Sequence, residues 1–196
     1  MHTVFLLASG RRDGNAELLA RHAAAALPDD GEQTWLRISD YPLEPFVDHR
    51  RAADYASLTL GPNARRLFDA TVAADLLVFA TPVYWYSLPA AAKLYLDHWS
   101  TWLRVPDLRF RERVADRTSV TVLATMAGDD AAEARPLTES VRLSAAYLGM
   151  PYRGAIVATG ANLAGDVLCD KDSLAAARAL LAEATRAGRE ADARHI

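Results

Sequence analysis

The chain has 196 residues, 51% hydrophobic and 24% charged, with a formal net charge of −3. That length suits one domain spanning residues 1–196 with a sizeable core, and the near-balanced charge gives no electrostatic reason to expect nucleic acid or an anionic membrane as partner. Cys169 is the single cysteine, which excludes an intramolecular disulfide or a thiolate-held metal cluster and fits a reducing, cytoplasmic setting.

Taken in order, the segments alternate between strand-like and helix-like patterns. Residues 3–8 (TVFLLA) form a continuous apolar run, as in a parallel strand buried on both faces. The run is too short to cross a bilayer and has no basic stretch before it. After a polar loop, residues 15–27 give an Ala-rich helix stopped by Pro28 and Gly31. Residues 34–38 (TWLRI) are a weaker strand, residues 39–60 an irregular stretch, and residues near 60–73 a helix. DLLVFA at 75–80 is the strongest strand. A long helix over 88–103 repeats Leu88, Ala92, Tyr95, Trp99 and Leu103 at helical spacing, which marks one buried face. TSVTVLAT at 118–125 is the fourth strand, followed by a helix over 131–149 with Leu137, Val141, Ala145 and Leu148 on one face. Gly149 then Pro151 stop that helix, a left-handed cap before a residue that cannot continue it. YRGAIVAT at 152–159 is the fifth strand, and residues 173–188 the last helix. Five strands alternating with helices imply a doubly wound α/β fold, a parallel sheet with helices on both faces.

Such sheets bind ligands outside the carboxyl ends of their strands, at the topological switch point. The rule selects three loops: 9–15, 81–87 and 125–130. The first, Ser9-Gly10-Arg11-Arg12-Asp13-Gly14-Asn15, runs straight into a helix. A helix N-terminus offers unpaired N–H groups and a positive dipole end to an anion. Ser9 can donate a hydroxyl, Arg11 or Arg12 can add charge-assisted bonds, Gly14 permits close backbone approach, and Asn15 can cap the helix or offer its amide. Neither GxGxxG nor a Gly-Lys-Ser/Thr P-loop occurs, which argues against a dinucleotide or NTPase site. A plain polar surface turn would also read this way. The second loop, Pro82-Val83-Tyr84-Trp85-Tyr86-Ser87, crowds three aromatics where small polar residues are usual. Rings with nearby backbone N–H and C=O groups suit a flat heteroaromatic ligand, although packing on a helix or a partner subunit is the plainer use. An anion cradle and a flat-ring platform on adjacent strands together describe flavin mononucleotide, FMN.

SGRRDGN before a helix, TPVYWYSLPAAAKLYLDHW, and LGMPYRG resemble the flavodoxin-like NAD(P)H-dependent FMN reductases, a family that includes quinone and azo reductases. The resemblance runs from Val4 to about Gly160. It implies strand order 2-1-3-4-5, a homodimer, and FMN reduced by NADPH or NADH, with electrons passed on to a small-molecule flavin, quinone or azo acceptor. It also puts Ser9, Arg11, Gly14, Asn15 and Ala16 on phosphate-binding positions and Pro82, Val83, Tyr84, Trp85, Tyr86 and Ser87 on ring-binding positions. Thr125 through Gly128 fall on the third flavin loop. Ala16 departs from the family's usual Thr or Ser, and Leu88-Pro89 from its small or polar pair. No side chain is required as a general acid or base, so none is named.

Other candidates take plainer readings. Asp97 with His98, and Asp48 with His49, lack the further ligands that a metal site needs. Ser9 has no hydrolase partner and no GxSxG occurs. Cys169 reads as a solvent-side or small core residue. The Arg-rich segment 104–117 reads as a solvated face or as a lid or partner contact. Two rivals share the fold: a flavodoxin-type electron carrier, and a flavin-free regulatory domain. The near-neutral net charge speaks against the carrier, which would dock through one strongly charged face.

Overall fold

The computed structural model describes residues 1–48, 55 and 58–193, with the side chains of 189–193 left aside. His49 lies outside the described residues. Five strands, β1 (His2–Leu7), β2 (Glu32–Arg37), β3 (Leu76–Pro82), β4 (Ser119–Thr125) and β5 (Tyr152–Ala158), form one sheet in the order β2-β1-β3-β4-β5. Every pairing is parallel, running from Thr3 opposite Gln33 and Leu76 to Thr125 opposite Ala158. The helices are α1 (Asn15–Ala24), α2 (Pro62–Ala73), α3 (Ala90–Arg104), α4 (Phe110–Val114), α5 (Arg135–Leu148) and α6 (Lys171–Ala193).

The strand pleat sorts the core into two halves. Val4 and Leu6 of β1 and Leu77 and Phe79 of β3 point to the face covered by α2, α3, α4 and α5. Phe5, Leu7, Leu76, Val78 and Ala80 point to the other face, covered by Leu19, Ala20 and Ala23 of α1 and by Leu174, Ala177 and Leu181 of α6. Both faces are apolar because parallel crossovers put helices on each side, hence the unbroken apolar runs of β1 and β3. Gly149 caps α5 at φ +77°. A Cβ there would stand 3.2 Å from that of Ala115, so glycine is required by both conformation and space.

Three expectations need correction. The helix over 131–149 starts as a short 3₁₀ turn at Ala131–Ala134, and α5 proper begins at Arg135. The last helix starts earlier and ends later than 173–188, because Asp170 accepts the Ser173 N–H and so caps its first turn. The Arg-rich segment is not a lid. It contains α4, whose Phe110 and Val114 are buried, and it leads into the first residue of β4. In a parallel sheet, what enters a strand lies at the edge opposite the carboxyl ends, so this segment cannot cover the loops that leave them.

Candidate functional site

β1 ends at Leu7, and Ala8 still donates to the Ala80 carbonyl at 2.9 Å, so the first loop leaves the sheet beside β3. Ser9 is buried and its hydroxyl accepts the Arg11 N–H at 3.1 Å, which leaves its own proton free to donate outward. Asp13 turns the chain at φ +53°. Gly14 is the N-cap of α1, so Asn15 is the first helical residue rather than the cap. The Asn15 amide is taken instead by the loop after β5. It donates to the carbonyls of Leu163 at 2.8 Å and Ala161 at 3.2 Å, and its oxygen accepts the Gly165 N–H at 2.9 Å.

The two neighbouring arginines differ in availability. Arg12 pairs with Asp40 at 3.3 Å. The Arg11 guanidinium has no partner among the described residues and lines the cavity, as Gly14 and Ala16 do. A Cβ built on Gly14 would meet the Arg11 carbonyl at 3.7 Å, Ser9 Oγ at 3.8 Å and Arg11 Cβ at 3.9 Å, ordinary contacts that an added methyl could make.

The second loop is anchored by Val83 N–H donating to the Thr125 carbonyl at 2.9 Å. Tyr84 and Ser87 then exchange two backbone hydrogen bonds of 3.0 Å each around Trp85 and Tyr86. These two residues have φ of +50° and +63°, the pattern of a mirror-image two-residue turn that normally takes Asn-Gly. Trp85 is 94% exposed, and Tyr84 and Tyr86 are about half exposed at 54% and 53%. Loop three is tied to the loop after β5 by Ala161 N–H to the Met126 carbonyl at 2.9 Å and Gly160 N–H to the Gly128 carbonyl at 3.0 Å.

These loops enclose a cavity of about 270 Å³ lined by Ser9, Arg11, Gly14, Asn15, Ala16, Pro82, Val83, Tyr84 and Thr125, together with Met126, Ala127, Ala161 and Asn162. Trp85, Tyr86, Ser87 and Gly128 lie outside that lining. Ala161 and Asn162 escaped the sequence reading, which selected three loops although the same rule covers the Gly- and Asn-rich stretch after β5. A larger cavity, about 420 Å³, lies on the flank beside residues 42–45, Val47, residues 58–64 and His98 of α3; none of the residues selected in the three loops lines it.

Trp99 is buried, as its place on the apolar face of α3 implies, and Trp102 is buried as well, at 5% and 0% exposure. Trp102 meets Phe68, Tyr95 and Phe110 edge-on at centroid separations of 5.4–5.6 Å, because α4 covers the end of α3. Cys169 is exposed. Among the described residues no cluster of three or more His, Cys, Asp or Glu could hold a metal, and no helix is long and apolar enough to cross a membrane.

A doubly wound parallel sheet in the order β2-β1-β3-β4-β5, with a cavity among the loops at its carboxyl edge, defines an α/β protein of the flavodoxin-like kind. Residues 1–163 match the model of the NADPH-dependent FMN reductase family, and the chain belongs to that family. It is 29% identical over 172 residues to YwqN of Bacillus subtilis (strain 168), provisionally named as an NAD(P)H-dependent FMN-containing oxidoreductase, covering 87% of this chain and 91% of that one. It is 25% identical over 191 residues to an FMN-dependent NADH:quinone oxidoreductase of Alcanivorax borkumensis, covering 88% and 93% of the two chains. Among solved structures, the Trp repressor binding protein of Bacillus subtilis superposes with a TM-score of 0.69 at 25% identity, covering 91% of this chain and 97% of that one.

Proposed function

We propose that the cavity holds FMN, its phosphate received at the N-terminus of α1 by Ser9, Arg11 and the first-turn N–H groups, and its ring lying toward Pro82, Val83 and Tyr84. The chain is an FMN-dependent oxidoreductase drawing on NAD(P)H, as its family is. The observation that carries the placement is the Arg11 guanidinium, without a partner among the described residues, beside the Ser9 hydroxyl at a helix N-terminus, in one cavity with Tyr84. Those groups are all donors, the set a phosphate needs. At about 270 Å³ the cavity is near the low end for small-molecule sites, so it suits one end of a mononucleotide and leaves the ring at the Tyr84–Tyr86 rim.

When bound, FMN supplies the redox chemistry, taking a hydride from the nicotinamide and giving electrons to the acceptor. The protein binds and orients. Val83 N–H and the Thr125 carbonyl tie the second and third loops together, and Tyr84 lines the cavity. The acceptor class is a flavin, quinone or azo compound; the names of the relatives favour this enzyme over a flavodoxin-type carrier or a flavin-free domain. Purified protein should release FMN on denaturation and consume NAD(P)H when given a quinone. Finding FAD alone, or no uptake from excess FMN, would refute the placement.

The same reading includes a homodimer in the cytoplasm. Trp85 exposes nearly its whole ring beside two half-exposed tyrosines, an apolar rim that a second copy would cover. Light scattering at micromolar concentration should give twice the mass of the chain, and a monomer would remove the idea.

A further inference from the structure

Arg37 is the last residue of β2, in register with Leu7 of β1, where a strand covered on both sides would normally carry an apolar side chain. Its side chain is 6% exposed. One terminal nitrogen, Nη1, donates to the carbonyls of both Ser9 and Arg11, at 2.7 and 2.8 Å. The other, Nη2, donates to Glu17 Oε2 at 2.5 Å. That same carboxylate oxygen accepts the Asp13 N–H at 3.1 Å, and Glu17 Oε1 accepts from Arg21 at 2.7 and 3.1 Å. Two residues, Arg37 and Glu17, therefore hold the first loop at Ser9, Arg11 and Asp13.

Stability alone does not account for this arrangement. A buried ion pair is often no better than apolar packing of the same volume, and Arg37 Nε is buried with no partner among the described residues. What the guanidinium does is choose which way the loop's peptide groups face. In a trans peptide the carbonyl and the following N–H point in opposite directions. Drawing the Ser9 and Arg11 carbonyls toward Arg37 turns the Gly10 and Arg12 N–H groups away from it, and neither N–H bonds to another protein atom among the described residues. An anion site must keep carbonyl oxygens off its ligand, and here one buried side chain removes two of them. Two guanidiniums sharing one carboxylate also leave a positive charge beneath the loop.

We propose that Arg37 is a positioning residue for the anion cradle and sets the protein's preference for phosphorylated over unphosphorylated flavin. This rests on the FMN reading above. Flavin fluorescence quenching would give the affinities of FMN and riboflavin for the wild type, Arg37→Met and Arg37→Lys, with circular dichroism and a thermal melt confirming the fold of each. The wild type should favour FMN. Arg37→Met should lose about tenfold or more in FMN affinity while riboflavin changes by no more than about threefold, since the lost groups serve only the anion. Arg37→Lys keeps the charge but lacks the fork that reaches two carbonyls and Glu17 together, so it should fall between the two. If Arg37→Met does not fold, Arg37→Lys decides, with a ratio of FMN to riboflavin affinity reduced by at least about threefold expected. An unchanged ratio in a folded variant, including equal loss of both flavins as a merely structural role would give, overturns this proposal alone. A wild type that binds neither flavin overturns the FMN reading and this proposal with it.

Discussion

The turn at Trp85 and Tyr86 makes a quantitative prediction that runs against hydrophobicity. Both residues lie in the left-handed region, at φ +50° and +63°. For residues with a Cβ, that conformation costs roughly 1–2 kcal/mol each. Trp85 is 94% exposed in the single chain, so within it the ring gains almost nothing from packing to offset the cost, and the comparison is made at a concentration where the chain is monomeric. Asn tolerates the left-handed region best among residues with a side chain, and a β-branched residue tolerates it worst. Trp85→Asn should therefore stabilise the flavin-free protein by about 0.5–1 kcal/mol, and Trp85→Val should destabilise it by about 1 kcal/mol or more. For a chain of this length 1 kcal/mol corresponds to roughly 2–4 °C in Tm, so the two variants should melt several degrees apart on either side of the wild type. Tyr86→Gly should be nearly neutral, because relief of strain is set against the loss of a half-covered ring and against glycine's freedom when unfolded. Thermal and denaturant unfolding should be measured without flavin, so that ligand binding does not add to apparent stability. If Trp85→Val is as stable as Trp85→Asn, the turn is not left-handed in solution and the strain argument fails.

Further outcomes follow from the site. Arg11→Ala should weaken FMN by roughly 1.5–3 kcal/mol, the worth of a charge-assisted hydrogen bond, and leave riboflavin nearly untouched; Arg12→Ala, whose partner is Asp40, is the control, and equal loss of both flavins would remove Arg11 from the phosphate. Trp85→Ala should retain FMN yet slow flavin reduction by NAD(P)H or its reoxidation by a quinone, followed by stopped-flow absorbance, because small misplacements of stacked reactants can cost about a hundredfold in rate; unchanged rates would return the ring to an interface role. Burial pushes the Glu17 carboxyl up, but the hydrogen bonds from Arg37, Arg21 and the Asp13 N–H outweigh it and hold the group below its ordinary 4.5. A depressed folded value means the contribution is present above about pH 4.5 and lost as pH falls through that lower value. Glu17→Gln should therefore flatten the acid limb of a stability-versus-pH curve, and an unaltered limb would show the carboxylate to be inert.

The sheet was legible in the sequence because parallel strands covered on both faces leave unbroken apolar runs, and TVFLLA and DLLVFA are such runs. The carboxyl-edge rule then located three of the four loops that line the cavity before any side chain was placed. What escaped was local and cooperative. α4 has five residues, two of them buried, set among arginines whose charge hides its apolar face. Without α4, Trp102 has no partner visible in the sequence. Arg37 did leave a signal, a charged residue at the carboxyl end of a strand beside the first loop, but its meaning depends on two carbonyls that no residue pattern reports. Asn15 was read as cap or ligand because its type fits both; only the loop that arrives after β5 decides which atoms its amide meets.

That amide has a consequence for how the protein comes into being. Ser9, Arg11 and Gly14 are translated some 150 residues before the Leu163 carbonyl and the Gly165 N–H that fix Asn15 beside them. Domains fold as units once their parts are available, so the first loop is translated well before the contacts that complete it. With FMN held as proposed, a nascent chain that has emerged through β4 would carry Ser9 and Arg11 but lack the contacts that fix Asn15, and cofactor binding would be completed only once β5 and its loop are in place.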